Sequence, residues 1–121
     1  PEVARARELG CERMSRADLL SDLFNAADYS VAVAGTSGKS TVTGMIAWIL
    51  HEGRNDPTVM NGAVMKNFAH RENPFASARV GAPGLFVSEV DESDGSLALY
   101  RPTLRLLDGM AILCREISAL R

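Results

Sequence analysis

Cysteine, histidine and lysine are all scarce in this chain of 121 residues, with two of each. Cys11 and Cys114 stand far apart and lack metal-ligand spacing, which excludes a disulfide framework and a zinc site built on cysteines. They read as free thiols filling small gaps in a core, in a reducing compartment, most simply the cytoplasm. No apolar run approaches the length of a membrane span. No basic start is followed by an apolar segment and a cleavage site, so no secretion signal is expected. A surplus of charge is missing too: the formal net charge is −2, which gives no reason to expect nucleic acid or an anionic membrane as a partner. An initiator methionine is also lacking, and an opening at Pro1 points to a piece of something longer or to a processed chain.

What is present is an ordinary globular composition, 46% hydrophobic and 23% charged, enough for one modest domain with a real core. Pro1 to Leu9 is expected to be helical, with proline in the first turn and Gly10 as its stop. Ser15 reads as the N-cap of a second helix reaching about Ala27, with Asp18 in the place of a capping-box acid. Ser30 to Ala34 has the valine-rich pattern of a strand buried on both faces. Apolar residues at Val42, Met45, Ile46, Ile49 and Leu50 predict a helix over Thr41 to His51, ended near Gly53. A short strand is expected at Thr58 to Met60, an exposed loop after it, and a second good strand at Gly84 to Val90. From Leu104 to Leu120 the spacing of Leu107, Met110, Leu113, Ile117 and Leu120 predicts a helix. The order helix, strand, loop, helix, strand implies an α/β fold with a partial parallel sheet and flanking helices. Ligands in such sheets bind at the carboxyl ends of the strands.

Two stretches that carry chemistry follow directly after predicted strands. The first is "GTSGKST", Gly35 to Thr41. Gly35 and Gly38 allow backbone conformations closed to other residues, so successive N–H groups can turn inward around an anion. The helix that follows offers the same anion its unsatisfied N–H groups and positive dipole end. Lys39 can reach the outer phosphates of a nucleotide, Ser40 can ligate a bridging magnesium, and Thr41 is a second hydroxyl in reach. The loop departs from the common pattern G-x-x-x-x-G-K-[ST], because Val33 stands where the first glycine belongs. The bland alternative is a glycine-rich turn with a chance lysine.

The second is "SEVDESDGS", with Glu89, Asp91, Glu92 and Asp94 within six residues. On a strand Glu89 and Asp91 point to one side and Val90 to the other. A nucleotide site needs a carboxylate to hold magnesium opposite its phosphate loop, and strand ends supply it. Read alone, the same residues make a solvated turn whose acids cap backbone N–H groups. His51 and His70 sit beside neither motif and read as surface residues.

Taken together, these residues resemble the Mur ligases. "VAVAGTSGKSTVTGMIAWIL" is similar to the family's ATP loop, G-T-x-G-K-[ST]-[ST]. "FVSEVDESDGSLALYRP" is similar to the E-x-D-E-S-D-x-S stretch of its alanine-adding members. "PEVARARELGCERMSRADLLSDLF" is similar to the end of the first domain ahead of the ATP domain. The resemblance spans roughly Pro1 to Pro102. It implies a P-loop-type nucleotide-binding fold. Residues 1–28 would end a UDP-sugar-binding first domain and its linker, and 29–121 would form part of the central ATP-binding domain.

The resemblance implies an ATP- and Mg2+-dependent amide ligase of peptidoglycan precursor synthesis. It would join L-alanine to UDP-N-acetylmuramate through an acyl phosphate. Gly35, Thr36, Ser37, Gly38, Lys39, Ser40 and Thr41 would bind the nucleotide. Lys39 and Glu89 would be catalytic, and Ser40 and Glu89 would hold the metal, with Glu92 as the rival ligand. Asn61 and Gly62, in "MNGAV", would approach the sugar substrate. "MKNF" leans toward a recycling branch that adds a whole tripeptide to the same nucleotide sugar, and Ser93 leans back toward alanine. Two other classes stand beside the ligase: a small kinase or switch, against which Val33 counts, and a non-catalytic nucleotide-binding module.

After "YRP" the family runs on as a strand ending in asparagine, then an Asp-His pair. Here the chain reads "TLRLLDGMAILCREISALR", with no Asn and no His after His70. The expectation is that this chain alone binds nucleotide weakly and does not complete a ligase reaction. A sheet lacking strands leaves an open edge, so self-association is held open.

Overall fold

The computed structural model describes residues 2–91, 95–107 and 110–113. Helix α1 covers Glu2–Glu8 and α2 covers Arg16–Asn25. The Ser15 hydroxyl accepts the Asp18 N–H at 3.0 Å and the Ser15 N–H reaches the Asp18 carboxylate at 3.0 Å, the reciprocal cap expected from the sequence. Strand β1 is Tyr29–Ala34, α3 is Lys39–Glu52, β2 is Thr58–Met60, β3 is Ala78–Arg79 and β4 is Leu85–Glu89. A 3-10 turn at Ser96–Leu99 leads to β5, Leu104–Leu107, and β6, Met110–Leu113. Among the described residues no helix is long and apolar enough to cross a membrane.

These strands form one sheet in the order β3-β2-β4-β1-β5-β6. The four inner strands run parallel: β4 and β5 flank β1, and β2 lies beyond β4. The outer strands β3 and β6 pair antiparallel, so the expected parallel sheet is the centre of a mixed one. The helix predicted from Leu104 is corrected by β5 and β6, and residues 114–120 of that prediction, like Cys114, lie outside the described residues. The physical reason is that β5 is an inner strand. Its apolar residues serve two faces at once, and their spacing then mimics a helical period. Strand β3 falls inside the segment expected to be loop. It has two residues, too few to show a period.

Each face of the sheet carries its own core. On one face Phe24 of α2 packs with Ala32, Phe86, Val90 and Tyr100. Its ring meets Phe86 and Tyr100 edge-on, at centroid distances of 5.4 and 5.2 Å, the arrangement aromatic quadrupoles favour. The Asn25 side chain extends this docking, donating to the Leu99 carbonyl at 2.8 Å and accepting the Arg101 N–H at 2.7 Å. On the other face Ala47 of α3 packs with Val59 and Met65. Cys11 is exposed, which corrects its expected place in a core: it follows the short helix α1, which buries none of its residues.

Candidate functional site

The site begins where β1 ends. Ala34 is the last strand residue and Lys39 the first of α3, so Gly35 to Gly38 must turn the chain through the sheet's carboxyl edge. Gly35 has φ 134° and Gly38 has φ 79°, both in the region that L side chains rarely adopt. Gly38 is also the N-cap of α3, with no side-chain capping bond. A helix leaves its first N–H groups without intrahelical partners, and here no cap side chain competes for them. Thr36, Ser37 and Gly38 are exposed, as is Thr41. The loop therefore lies open at the joint between strand and helix. The Lys39 ammonium folds back over it and donates to the Gly35 carbonyl at 2.8 Å.

The carboxyl edge brings the acidic turn to this loop, as the strand order requires. β1 and β4 are neighbours with Val33 level with Glu89, so residues 49 positions apart meet. The Ser40 hydroxyl donates to Glu89 Oε2 at 2.7 Å. The Gly62 N–H donates to the same oxygen at 2.9 Å. Asn61 donates through Nδ2 to the Ser40 carbonyl at 3.1 Å. Asn61 is 7% exposed, and its Oδ1 is buried without a hydrogen-bond partner. Val90 packs into the core beneath, as the alternation of β4 required.

Two clefts of about 290 Å³ each flank this knot. One runs along α3, with Thr41, Trp48 and Phe68 in its wall. The other lies toward α2 and is lined by Arg16, Leu20, Gly62, Glu89, Asp91 and Tyr100. Asn61 lines both. The residues singled out by sequence are thus gathered at one edge, except Glu92, which lies outside the described residues. Arg16 and Tyr100 were not anticipated. Arg16 follows a helix cap and Tyr100 precedes "RP", and neither context signals a site. His51 and His70 are exposed, as expected, and His51 stacks near Trp48 and Phe68 at 5.6 and 5.3 Å, away from the phosphate loop.

The donor set fits a magnesium ion in one particular way. Among the described residues no three His, Cys, Asp or Glu side chains come together to hold a metal. What exists is one carboxylate and one hydroxyl, both hard oxygens, 2.7 Å apart. Neighbouring oxygens around an octahedral magnesium stand about 3.0 Å apart, given bonds near 2.1 Å. Ser40 and Glu89 can therefore occupy adjacent positions and leave the others to phosphate and water, the usual way this ion is held.

The first curated relatives share a name. The chain is 38% identical to the UDP-N-acetylmuramate–L-alanine ligase of Magnetococcus marinus, over 91% of this chain and 22% of that protein. It is 40% identical to the enzyme of the same name from Synechococcus, over 93% of this chain and 22% of that one. Among solved structures, the murein peptide ligase of Psychrobacter arcticus matches with TM-score 0.66 and 28% identity, covering 87% of this chain and 26% of that one. The UDP-N-acetylmuramate:L-alanyl-γ-D-glutamyl-meso-diaminopimelate ligase of Neisseria matches with TM-score 0.63 and 28% identity, over 88% and 37%. No protein-family model matches. The chain spans about a fifth of the length of these curated relatives, and over that segment it belongs with the Mur ligases, as a homologue of their nucleotide-binding part.

Proposed function

We propose that this chain supplies the phosphate- and metal-binding part of an ATP-dependent amide ligase of peptidoglycan precursor synthesis, working in the cytoplasm. Residues 29–121 form part of the central ATP-binding domain, and 1–28 the end of the preceding domain with its linker. The whole reaction joins L-alanine to UDP-N-acetylmuramate. A carboxylate is a poor electrophile, so ATP phosphorylates it first, and the amine then displaces phosphate from the acyl phosphate. In this reading the N–H groups of Gly35 to Gly38 and the first turn of α3 bind the phosphates, and the Lys39 ammonium leaves the Gly35 carbonyl to meet their charge. Ser40 and Glu89 hold the magnesium, which when bound neutralises charge on the transferring phosphoryl group. Asn61 and Gly62 lie where the sugar substrate would approach.

The single observation that carries this reading is the 2.7 Å contact between the Ser40 hydroxyl and the Glu89 carboxylate. It joins the glycine-lysine loop to an acid of the second motif and sets two hard oxygens close enough to share one magnesium ion. Calorimetric titration with ATP, with and without Mg2+, tests it. The expected result is Mg2+-dependent binding that Glu89→Gln abolishes. ATP binding that ignores both Mg2+ and Glu89 would overturn it. A tripeptide as the added group is the second reading, favoured by the two solved neighbours.

A further inference from the structure

We propose that Gly62 is a positioning residue, whose N–H and whose lack of a side chain together seat the Glu89 carboxylate as a metal ligand. This rests on the reading of Ser40 and Glu89 as the magnesium pair. Gly62 is not among the glycines with positive φ, so its backbone conformation is open to any residue. Space is what it supplies. A Cβ at position 62 would lie 2.9 Å from Glu89 Oε2, 3.2 Å from Oε1 and 3.3 Å from Cδ. The same residue's N–H points at Oε2 from 2.9 Å, so Gly62 both attracts this oxygen and leaves room for it.

The loop cannot retreat to admit a methyl group. The Asn61 N–H is bonded to the Ser77 carbonyl at 2.9 Å and the Met65 N–H to the Ala76 carbonyl at 2.9 Å. The Asn61 side chain is fixed to the Ser40 carbonyl. The Glu89 carboxylate, by contrast, is the free end of a flexible side chain. An added methyl group therefore displaces the carboxylate and leaves the fold in place. The displaced atom is the one that meets Ser40 Oγ, and magnesium demands near-ideal octahedral geometry. The loss falls on metal binding. Position 62 thus couples the segment facing the sugar to the acid facing the phosphates.

The test titrates Mg2+ into the ATP-mixed chain, wild type against Gly62→Ala, by calorimetry. Gly62→Ala is expected to weaken Mg2+ binding about tenfold or more, as loss of an outer-shell partner does. Its ATP affinity without metal and its thermal midpoint stay at wild-type values. Adding Glu89→Asp to Gly62→Ala shortens the acid by one methylene and is expected to recover part of the Mg2+ affinity. Should Gly62→Ala fail to fold, the wild-type Gly62 amide resonance serves instead, and it is expected to shift when Mg2+ joins ATP. Wild-type Mg2+ affinity in Gly62→Ala, or an unmoved Gly62 amide in a chain that binds Mg2+, would overturn this proposal alone. ATP binding by the wild type without any Mg2+ dependence would overturn the magnesium reading and this proposal with it.

Discussion

Replacing Lys39 by alanine is the sharpest perturbation of the phosphate loop. In the free protein the half-buried ammonium donates to a neutral carbonyl, that of Gly35, at 2.8 Å. On the proposed reading, ATP would exchange that acceptor for an anion. A hydrogen bond to a charged group contributes about 1.5 kcal/mol at the low end. A unit charge pair at about 4 Å, at the effective dielectric of a protein surface, reaches about 4 kcal/mol. The loss on Lys39→Ala therefore lies between roughly tenfold and a thousandfold in Kd. Magnesium shares the phosphate charge, so the value with Mg2+ belongs near the lower bound. The assay is calorimetric titration of ATP at fixed ionic strength, since salt screens this term. Lys39→Arg keeps the charge but not the compact ammonium, and is expected to fall between. An ATP affinity within about threefold of wild type, in a variant with an unchanged far-UV spectrum, would refute the assignment of Lys39 to the phosphates.

Further predictions concern the scaffold. Phe24→Ala removes a fully buried ring that meets two other rings edge-on, and is expected to cost roughly 3–5 kcal/mol, read as the denaturant midpoint; an unmoved midpoint would show that α2 is not docked on the sheet. Gly81→Ala would put a Cβ 2.1 Å from the Asp56 carbonyl oxygen and 2.5 Å from two Pro57 backbone atoms, so about 3 kcal/mol of stability should be lost, visible in the same measurement. The Ser15 hydroxyl and N–H hold the Asp18 carboxyl below its ordinary 3.8. A depressed folded-state value means that this contribution is present above 3.8 and fades as pH falls through the lower folded value. Asp18→Asn should therefore be less stable than wild type near neutrality, with the gap closing in acid, and a gap constant with pH would contradict the cap.

Most of the scaffold could be read from local signals. The Ser15–Asp18 cap, the strand at Thr58 to Met60 and the Gly53 stop were visible because each rests on neighbours in sequence. The ends of the sheet were not. Strand β3 is held only by pairing with β2. Strand β5 gave a helical period because both faces of an inner strand take apolar residues, and edge strand β6 continued it. A competing local signal did exist there in the sequence: Asp-Gly is a strong two-residue hairpin dipeptide. At the candidate site, the glycine-lysine loop and Glu89 stood out as motifs because nucleotide chemistry would demand those residue types, and the strand order brings them together. The bonds of Gly62 to Glu89 and of Asn61 to Ser40 were not, since they depend on how far the β2 exit lies from α3. No spacing in sequence encodes that distance.

The strand order also sets a schedule for synthesis. Among the described strands β1 comes first in the chain, yet its neighbours in the sheet are β4 and β5. Its first partner pairs residue 29 with residue 85, and its second pairs residue 31 with residue 104. A nascent chain thus carries β1 and the phosphate loop behind it, with both edges open, while more than fifty further residues are added. Pairings of such separation are slow to close, and open strand edges invite association between chains. The Gly35–Gly38 loop therefore emerges well before the strand that carries Glu89 and stays without that neighbour until β4 pairs with β1. Any ligand that requires the Ser40–Glu89 contact can be held only after β4 has been made.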